Sequence, residues 1–118
     1  MQAEIKSFHC PDIDDLENFK PEIFDNFSFP LEMTIGTKGD VGEDIFEVTI
    51  CTPKSFTDEF TNSDVIIPIH RVFVFKYDFH QIKTKLKHFV ETRSGNNWHE
   101  IALKISKVAY WEFENYQP

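Results

Sequence analysis

Apolar and polar residues alternate most regularly over residues 27–53, FSFPLEMTIGTKGDVGEDIFEVTICTP. Phe27, Phe29, Leu31, Met33 and Ile35 take every second place, with Ser28, Pro30, Glu32 and Thr34 between them. The same period of two returns as Phe46, Val48 and Ile50 against Glu47, Thr49 and Cys51. Successive side chains of a strand point to opposite faces, so each run offers one apolar and one polar face. Gly36, Gly39 and Gly42 lie between the runs and are expected to supply the positive-φ residues of a reversal. Lys38, Asp40, Glu43 and Asp44 keep its tip in water. The pattern predicts a long antiparallel hairpin with an acidic tip, one face buried by the rest of the chain.

The flanking pattern is weaker. Residues 3–10 alternate loosely, Ile5 and His9 against Lys6, Phe8 and Cys10, and predict a first strand. Pro11 ends it, because proline cannot donate to a ladder. Residues 11–27 place Asp12, Asp14, Asp15, Glu17, Glu22 and Asp25 around Ile13, Leu16, Phe19, Phe24 and Phe27, with Pro21 interrupting any helix. They read as an irregular segment pinned to the core by its apolar residues, its carboxylates in solvent. Thr52 before Pro53 suits the cap of one or two helical turns reaching residue 60. Residues 61–64 form a polar loop, and residues 65–69, which contain Pro68, suit an edge or lead-in. Residues 71–77, RVFVFKY, read as a strand with Val72 and Val74 on one face and Phe73, Phe75 and Tyr77 on the other, both largely covered.

Two helices follow. Asp78 and Gln81 make a capping pattern ahead of a stripe of Phe79, Ile82, Leu86, Phe89 and Val90. Ser94, Gly95 and Asn96 break that helix; Asn97 and Glu100 open the next, with Trp98, Ile101, Ala102, Ile105, Val108 and Ala109 on one side. Leu103 falls on the opposite side, which predicts a helix covered on both faces rather than an interface residue. The tail from Ala109 adds a short extended piece, with Trp111, Phe113 and Tyr116 as anchors and Trp111 expected in the core. Strands precede helices and their links suit antiparallel pairing. The expected fold is α+β, an antiparallel sheet of about four strands with two C-terminal helices packed on one face.

At 118 residues the chain predicts a single domain, residues 1–118, and an apolar fraction of 41% with 13 phenylalanines excludes disorder. No apolar run approaches the ~20 residues of a membrane span, and MQAEIKSF lacks a signal peptide's apolar core, so a cytoplasmic location is expected. Cys10 and Cys51 read as reduced thiols, a disulfide being unnecessary at this size. Charge changes the picture more. Residues 1–64 carry 15 acidic against 4 basic side chains, a net of −11, and residues 65–118 carry 5 against 8, a net of +3. With −8 overall the chain repels phosphate, which argues against direct nucleic-acid binding. An acidic half suits solubility alone or, instead, a basic protein partner whose encounter it speeds.

Catalytic chemistry is not written in the chain. It has no nucleophile elbow, P-loop, dinucleotide fingerprint or zinc spacing. His9, His70, His80, His88 and His99 are scattered, and His80 and His88 are not the i, i+4 pair that clamps a metal. The segment after Asp12 lacks the glycine and following ligands of a calcium loop. Asp14 with Asp15, and Glu43 with Asp44, lack the apolar setting that would raise a carboxyl pKa for acid catalysis. Lys83 and Lys87 make a small solvated basic stripe. No enzyme, cofactor or metal is expected.

Taken together, MQAEIKSFHCPDIDDLENF, the IGTKGDVGEDIFEVTICTPK hairpin and the ending IALKISKVAYWEFENY resemble the immunity protein 8 family of bacterial polymorphic-toxin and contact-dependent inhibition systems. The most specific parts are Gly36, Lys38, Gly39, Gly42 and Glu43 through Cys51, Thr52 and Pro53, and the closing Trp111, Glu112 and Phe113. The resemblance implies a small cytosolic α+β protein that binds and blocks a cognate toxin C-terminal domain. Charge adds that the toxin is basic, as a nuclease would be, and that Asp12, Asp14, Asp15, Glu17, Asp40, Glu43 and Asp44 are the candidate partner-binding residues. The alternative is an acidic phosphate mimic that regulates an endogenous nucleic-acid-binding protein. A third reading, a small-molecule enzyme, requires a deep pocket with convergent polar groups.

Overall fold

The computed structural model describes residues 1–113. In chain order it contains β1 (Ala3–His9), β2 (Ser28–Thr37), β3 (Asp44–Cys51), α1 (Pro53–Glu59), β4 (Arg71–Phe73), α2 (Phe79–Glu91), α3 (Trp98–Ile105) and β5 (Tyr110–Trp111). The regular alternation becomes the central hairpin. β2 and β3 pair antiparallel from Ser28 opposite Cys51 to Ile35 opposite Asp44. Phe29, Leu31, Met33, Ile35, Phe46, Val48 and Ile50 are all buried on one face. Against them pack Phe79, Ile82, Leu86 and Val90 of α2 and Ile101, Ala102 and Ile105 of α3. Each of these side chains except Ala102 contributes about 1.5–3 kcal/mol through burial, which makes this inner face the core of the molecule. The caps form as expected: Asp78 accepts from the Gln81 N–H at 3.3 Å and Asn97 from the Glu100 N–H at 2.9 Å.

Several expectations need correction. The three tip glycines are not equivalent: only Gly39 has a positive φ, 89°. Gly36 is needed for close approach, since a Cβ there would lie 2.0 Å from the Gly42 carbonyl oxygen. In β1 the register shifts between Ile5 and Ser7, a bulge at Lys6. The extra residue brings Phe8 to the core side with Ile5, and its ring meets Phe79 edge-on at 5.6 Å, while His9 faces solvent.

The sheet is mixed rather than wholly antiparallel. Its order is β1-β2-β3-β4, and β3 pairs with β4 in parallel, Thr49 opposite Arg71 and Cys51 opposite Phe73. Residues 52–70, which include α1, supply the crossover of a dozen or more residues that parallel pairing needs. A fifth short strand, β5, pairs antiparallel with the other end of β3, Phe46 opposite Trp111 and Glu47 opposite Tyr110. β4 and β5 therefore share one edge of β3, end to end.

The run over residues 71–77 is a strand only as far as Phe73, and the chain bends at Phe75 and Lys76. Val72, Val74 and Tyr77 pack against the core, whereas Phe73 and Phe75 are 42% and 82% exposed, so the second face is open. Leu103 is 45% exposed, and α3 is covered on one side only. In the segment before β2, Ile13, Leu16, Phe19 and Phe27 pack on the core but Phe24 is 74% exposed. Both cysteines are free and buried. Tyr116 lies outside the described residues.

Candidate functional site

The acidic segment after β1 is held by a few local bonds. The Ile13 N–H donates to the Cys10 carbonyl at 3.2 Å, closing a turn around Pro11. The Tyr77 hydroxyl donates to the Leu16 carbonyl. Burial, and then the charge of Glu17, push Tyr77 up to about 12. Asp15 accepts from the Asn18 side-chain amide at 2.8 Å and from its backbone N–H at 3.3 Å, bonds that hold its carboxyl below the usual carboxylate range. Glu17 pairs with Lys83 of α2 at 3.0 Å. Asp12 and Asp14 are exposed and have no side-chain partner among the described residues.

The second acidic group surrounds the hairpin tip. A cavity of about 470 Å³ opens there, lined by Gly36, Asp40, Val41, Glu43, Asp44 and Trp98 among others. Asp40 and Glu43 are exposed. Asp44 has a different role: its Oδ2 accepts the indole N–H of Trp98 at 2.7 Å and that of Trp111 at 3.1 Å. This one carboxylate joins the tip end of the hairpin to α3 and β5. The structure does not merge the two groups into one patch. Leu16 and Phe19 lie near the start of β2, and His9, shortly before Asp12, pairs with Glu32, while the tip lies past the end of β2 at Thr37, so roughly 15–25 Å of strand separates the two groups at about 3.3 Å per residue.

Between them is the outer face of the sheet. Register places His9 beside Glu32, Glu32 opposite Glu47, and Glu47 opposite Tyr110, with Thr34 opposite Ile45. Helices α2 and α3 cover the other face. α1 covers only the end at Cys51 and Phe73, where the Phe56 ring meets Phe73 at 5.3 Å. Where β4 and β5 meet β3 end to end there is a notch of about 290 Å³, bordered by Glu47, Thr49, Ile69, His70, Arg71 and Tyr110.

Sequence reasoning also missed an exposed apolar stretch. Val65, Ile67, Ile69, Phe73 and Phe75 all reach solvent. Beyond Phe73 a groove of about 430 Å³ runs between β4 and α2, with Val74, Ile82, Lys76 and Lys85 on its walls. A signal existed: Val65, Ile67 and Ile69 alternate beside Pro68, and a run that cannot enter the middle of a sheet leaves its apolar side uncovered.

Among the described residues no group of three or more His, Cys, Asp or Glu side chains could hold a metal ion, and no helix is long and apolar enough to cross a membrane. Every buried side-chain nitrogen and oxygen among them has a hydrogen-bond partner. Among the described residues no serine, threonine or cysteine side chain is hydrogen-bonded to a histidine or carboxylate side chain.

No curated protein and no solved structure matches the chain. A family model described as immunity protein 8 matches residues 3–116, nearly the whole length. The chain belongs to that family. Membership makes it an immunity protein against a toxin. The family-like ending also has a structural account in this immunity protein. Trp111 stacks on Phe46 at 6.1 Å and donates to Asp44, while Glu112 accepts from the Ile45 N–H at 2.9 Å. These residues fasten β5 to the tip end of the hairpin.

Proposed function

We propose that this immunity protein acts in the cytosol as a stoichiometric, non-catalytic inhibitor that occludes the active or substrate-binding surface of a cognate toxin domain, and that the toxin is a nuclease. The family match over residues 3–116 carries the immunity reading. The uneven charge, −11 in residues 1–64, supports the nuclease part. A nuclease must hold phosphate with a positive surface, and carboxylates can stand where the phosphates would. Asp12, Asp14, Asp15 and Glu17 at one end and Asp40 and Glu43 at the other are the proposed steering groups. Asp44 belongs to the same group in sequence but is committed to the two tryptophans.

The test is co-expression with a candidate toxin C-terminal domain, sought in the gene next to this one, followed by a nuclease assay on the purified pair. Restored growth, a one-to-one complex and loss of cleavage are the expected results. A complex that still cleaves nucleic acid would overturn occlusion, and a toxin with no action on nucleic acid would overturn the nuclease assignment.

A further inference from the structure

The outer face of the sheet sets two like charges side by side. Glu32 and Glu47 are directly opposite in the β2–β3 ladder, on the face that no core helix covers. Side chains so placed have Cβ atoms about 4.5–5.5 Å apart, and like charges there destabilise the pair. Neither carboxylate has a hydrogen bond or ion pair among the described residues. Of the basic side chains on this face, His9 lies opposite Glu32 in the register, and Arg71, opposite Thr49 and on the wall of the notch, is already engaged: its guanidinium is 3.2 Å from Glu59 and lies over the Phe56 and Phe60 rings at 5.3 and 5.2 Å.

Beside Glu47 is the notch between β4 and β5, whose walls are fixed. His70 has the left-handed φ of 58°, its Nε2–H donates to the Ser106 carbonyl at 3.0 Å, and its own carbonyl accepts the Thr49 N–H at 2.9 Å. Its ring meets Tyr110 at 5.9 Å, and Tyr110 is 46% exposed. The notch thus offers an aromatic face next to a carboxylate with no partner, and a second such carboxylate one strand away.

The geometry points to this notch, with Glu47 and Glu32, as the seat for an arginine side chain of the toxin domain. A guanidinium matches a carboxylate bidentately and stacks on an aromatic ring, so Glu47 and Tyr110 together suit it better than a lysine ammonium. Its charge would also relieve the repulsion between Glu32 and Glu47, making the pair unfavourable in the free chain and favourable in the complex. The inference rests on the toxin-neutralising reading, which it deepens by naming a docking point that net charge alone does not reveal.

Glu32→Gln, Glu47→Gln, the double variant and Tyr110→Ala are compared with Glu22→Gln, an exposed change of the same charge elsewhere. Two quantities are measured: the urea midpoint of the free protein, and association and dissociation rates with the catalytically inactivated form of the toxin domain identified by co-expression. The glutamine variants are expected to match or exceed the wild-type midpoint. Glu47→Gln should weaken binding about tenfold or more, chiefly through faster dissociation, as loss of a buried charge pair does. Tyr110→Ala should act in the same direction and Glu22→Gln should not. A lower urea midpoint for the double variant would show that the two carboxylates serve the fold, and would overturn the inference without any toxin. Wild-type binding by the double variant, or an equal loss in Glu22→Gln, would overturn it while leaving immunity intact. If the wild-type protein itself neither binds nor protects, the immunity reading for that toxin fails and the docking point falls with it.

Discussion

At the scale of single residues, Asp44 and Tyr77 illustrate how similar-looking polar side chains divide between surface and scaffold. Asp44 follows Glu43 at the hairpin tip, yet it alone takes both tryptophan N–H groups. Asp44→Ala leaves those donors without their acceptor, and Trp111 is buried. Leaving a buried donor unsatisfied costs about 1–3 kcal/mol, so a loss of that order is expected, against about 0.5 kcal/mol or less for Glu43→Ala. Urea denaturation of the two variants checks the contrast, and equal losses would contradict it. Tyr77 gives a pH dependence. Its ordinary value is 10.0, and burial, aided by Glu17, raises it to about 12 in the folded chain. Between these values the unfolded chain releases the phenolic proton and the folded chain keeps it, so stability falls as pH rises through the window; below it nothing is lost. Lysines titrate nearby, so the comparison is with Tyr77→Phe, which loses the bond to Leu16 at every pH. From about pH 8 to about pH 11 the wild-type midpoint should fall further than that of Tyr77→Phe, given a free tyrosine value near 10.

At the scale of elements, legibility followed the range of the interaction. The hairpin was readable because its alternation and its pairing are both local, and the helix caps because Asp78 with Gln81 and Asn97 with Glu100 are three residues apart. What could not be read depends on contacts between distant segments. The parallel β4, the sharing of the β3 edge by β4 and β5, and the engagement of Asp44 by Trp98 and Trp111 are of this kind. The same limit hid the opposition of Glu32 and Glu47: both occupy polar positions of their runs, but only the register makes them neighbours. The tip glycines show the point as a prediction. Gly36 and Gly42 look alike in sequence, yet a Cβ on Gly36 would meet the backbone of Gly42, while one on Gly42 meets nothing within 4 Å. Gly36→Ala should cost about 1–3 kcal/mol through overpacking against backbone, and Gly42→Ala about 0.5 kcal/mol or less. Thermal or urea melts of the pair decide it, and an equally tolerated Gly36→Ala would mean that the two strands separate more easily at the tip than their geometry indicates.

At the scale of the whole molecule, the question is whether the acidic half acts as one surface or as two. Sequence places the carboxylates up to Glu17 and those at the tip in the same −11 half, but the fold puts roughly 15–25 Å of β2 between them at about 3.3 Å per residue. At physiological ionic strength the Debye length is about 8 Å, below that separation. Each cluster should then steer a basic toxin independently, and their effects on the logarithm of the association rate should add, as expected for sites without shared partners. The free carboxylates are the ones to reverse: Asp12→Lys with Asp14→Lys at one end, and Asp40→Lys with Glu43→Lys at the other, leaving Asp44 in place to hold the tryptophans. Each double variant should slow association and flatten its dependence on salt, with dissociation and the urea midpoint nearly unchanged. The combined variant should show the sum of the two effects. A combined effect no larger than either alone would mean that the toxin approaches one end only. Wild-type association in all three would leave the acidic loops to solubility and place recognition on the outer face of the sheet, around Glu32, Glu47 and Tyr110.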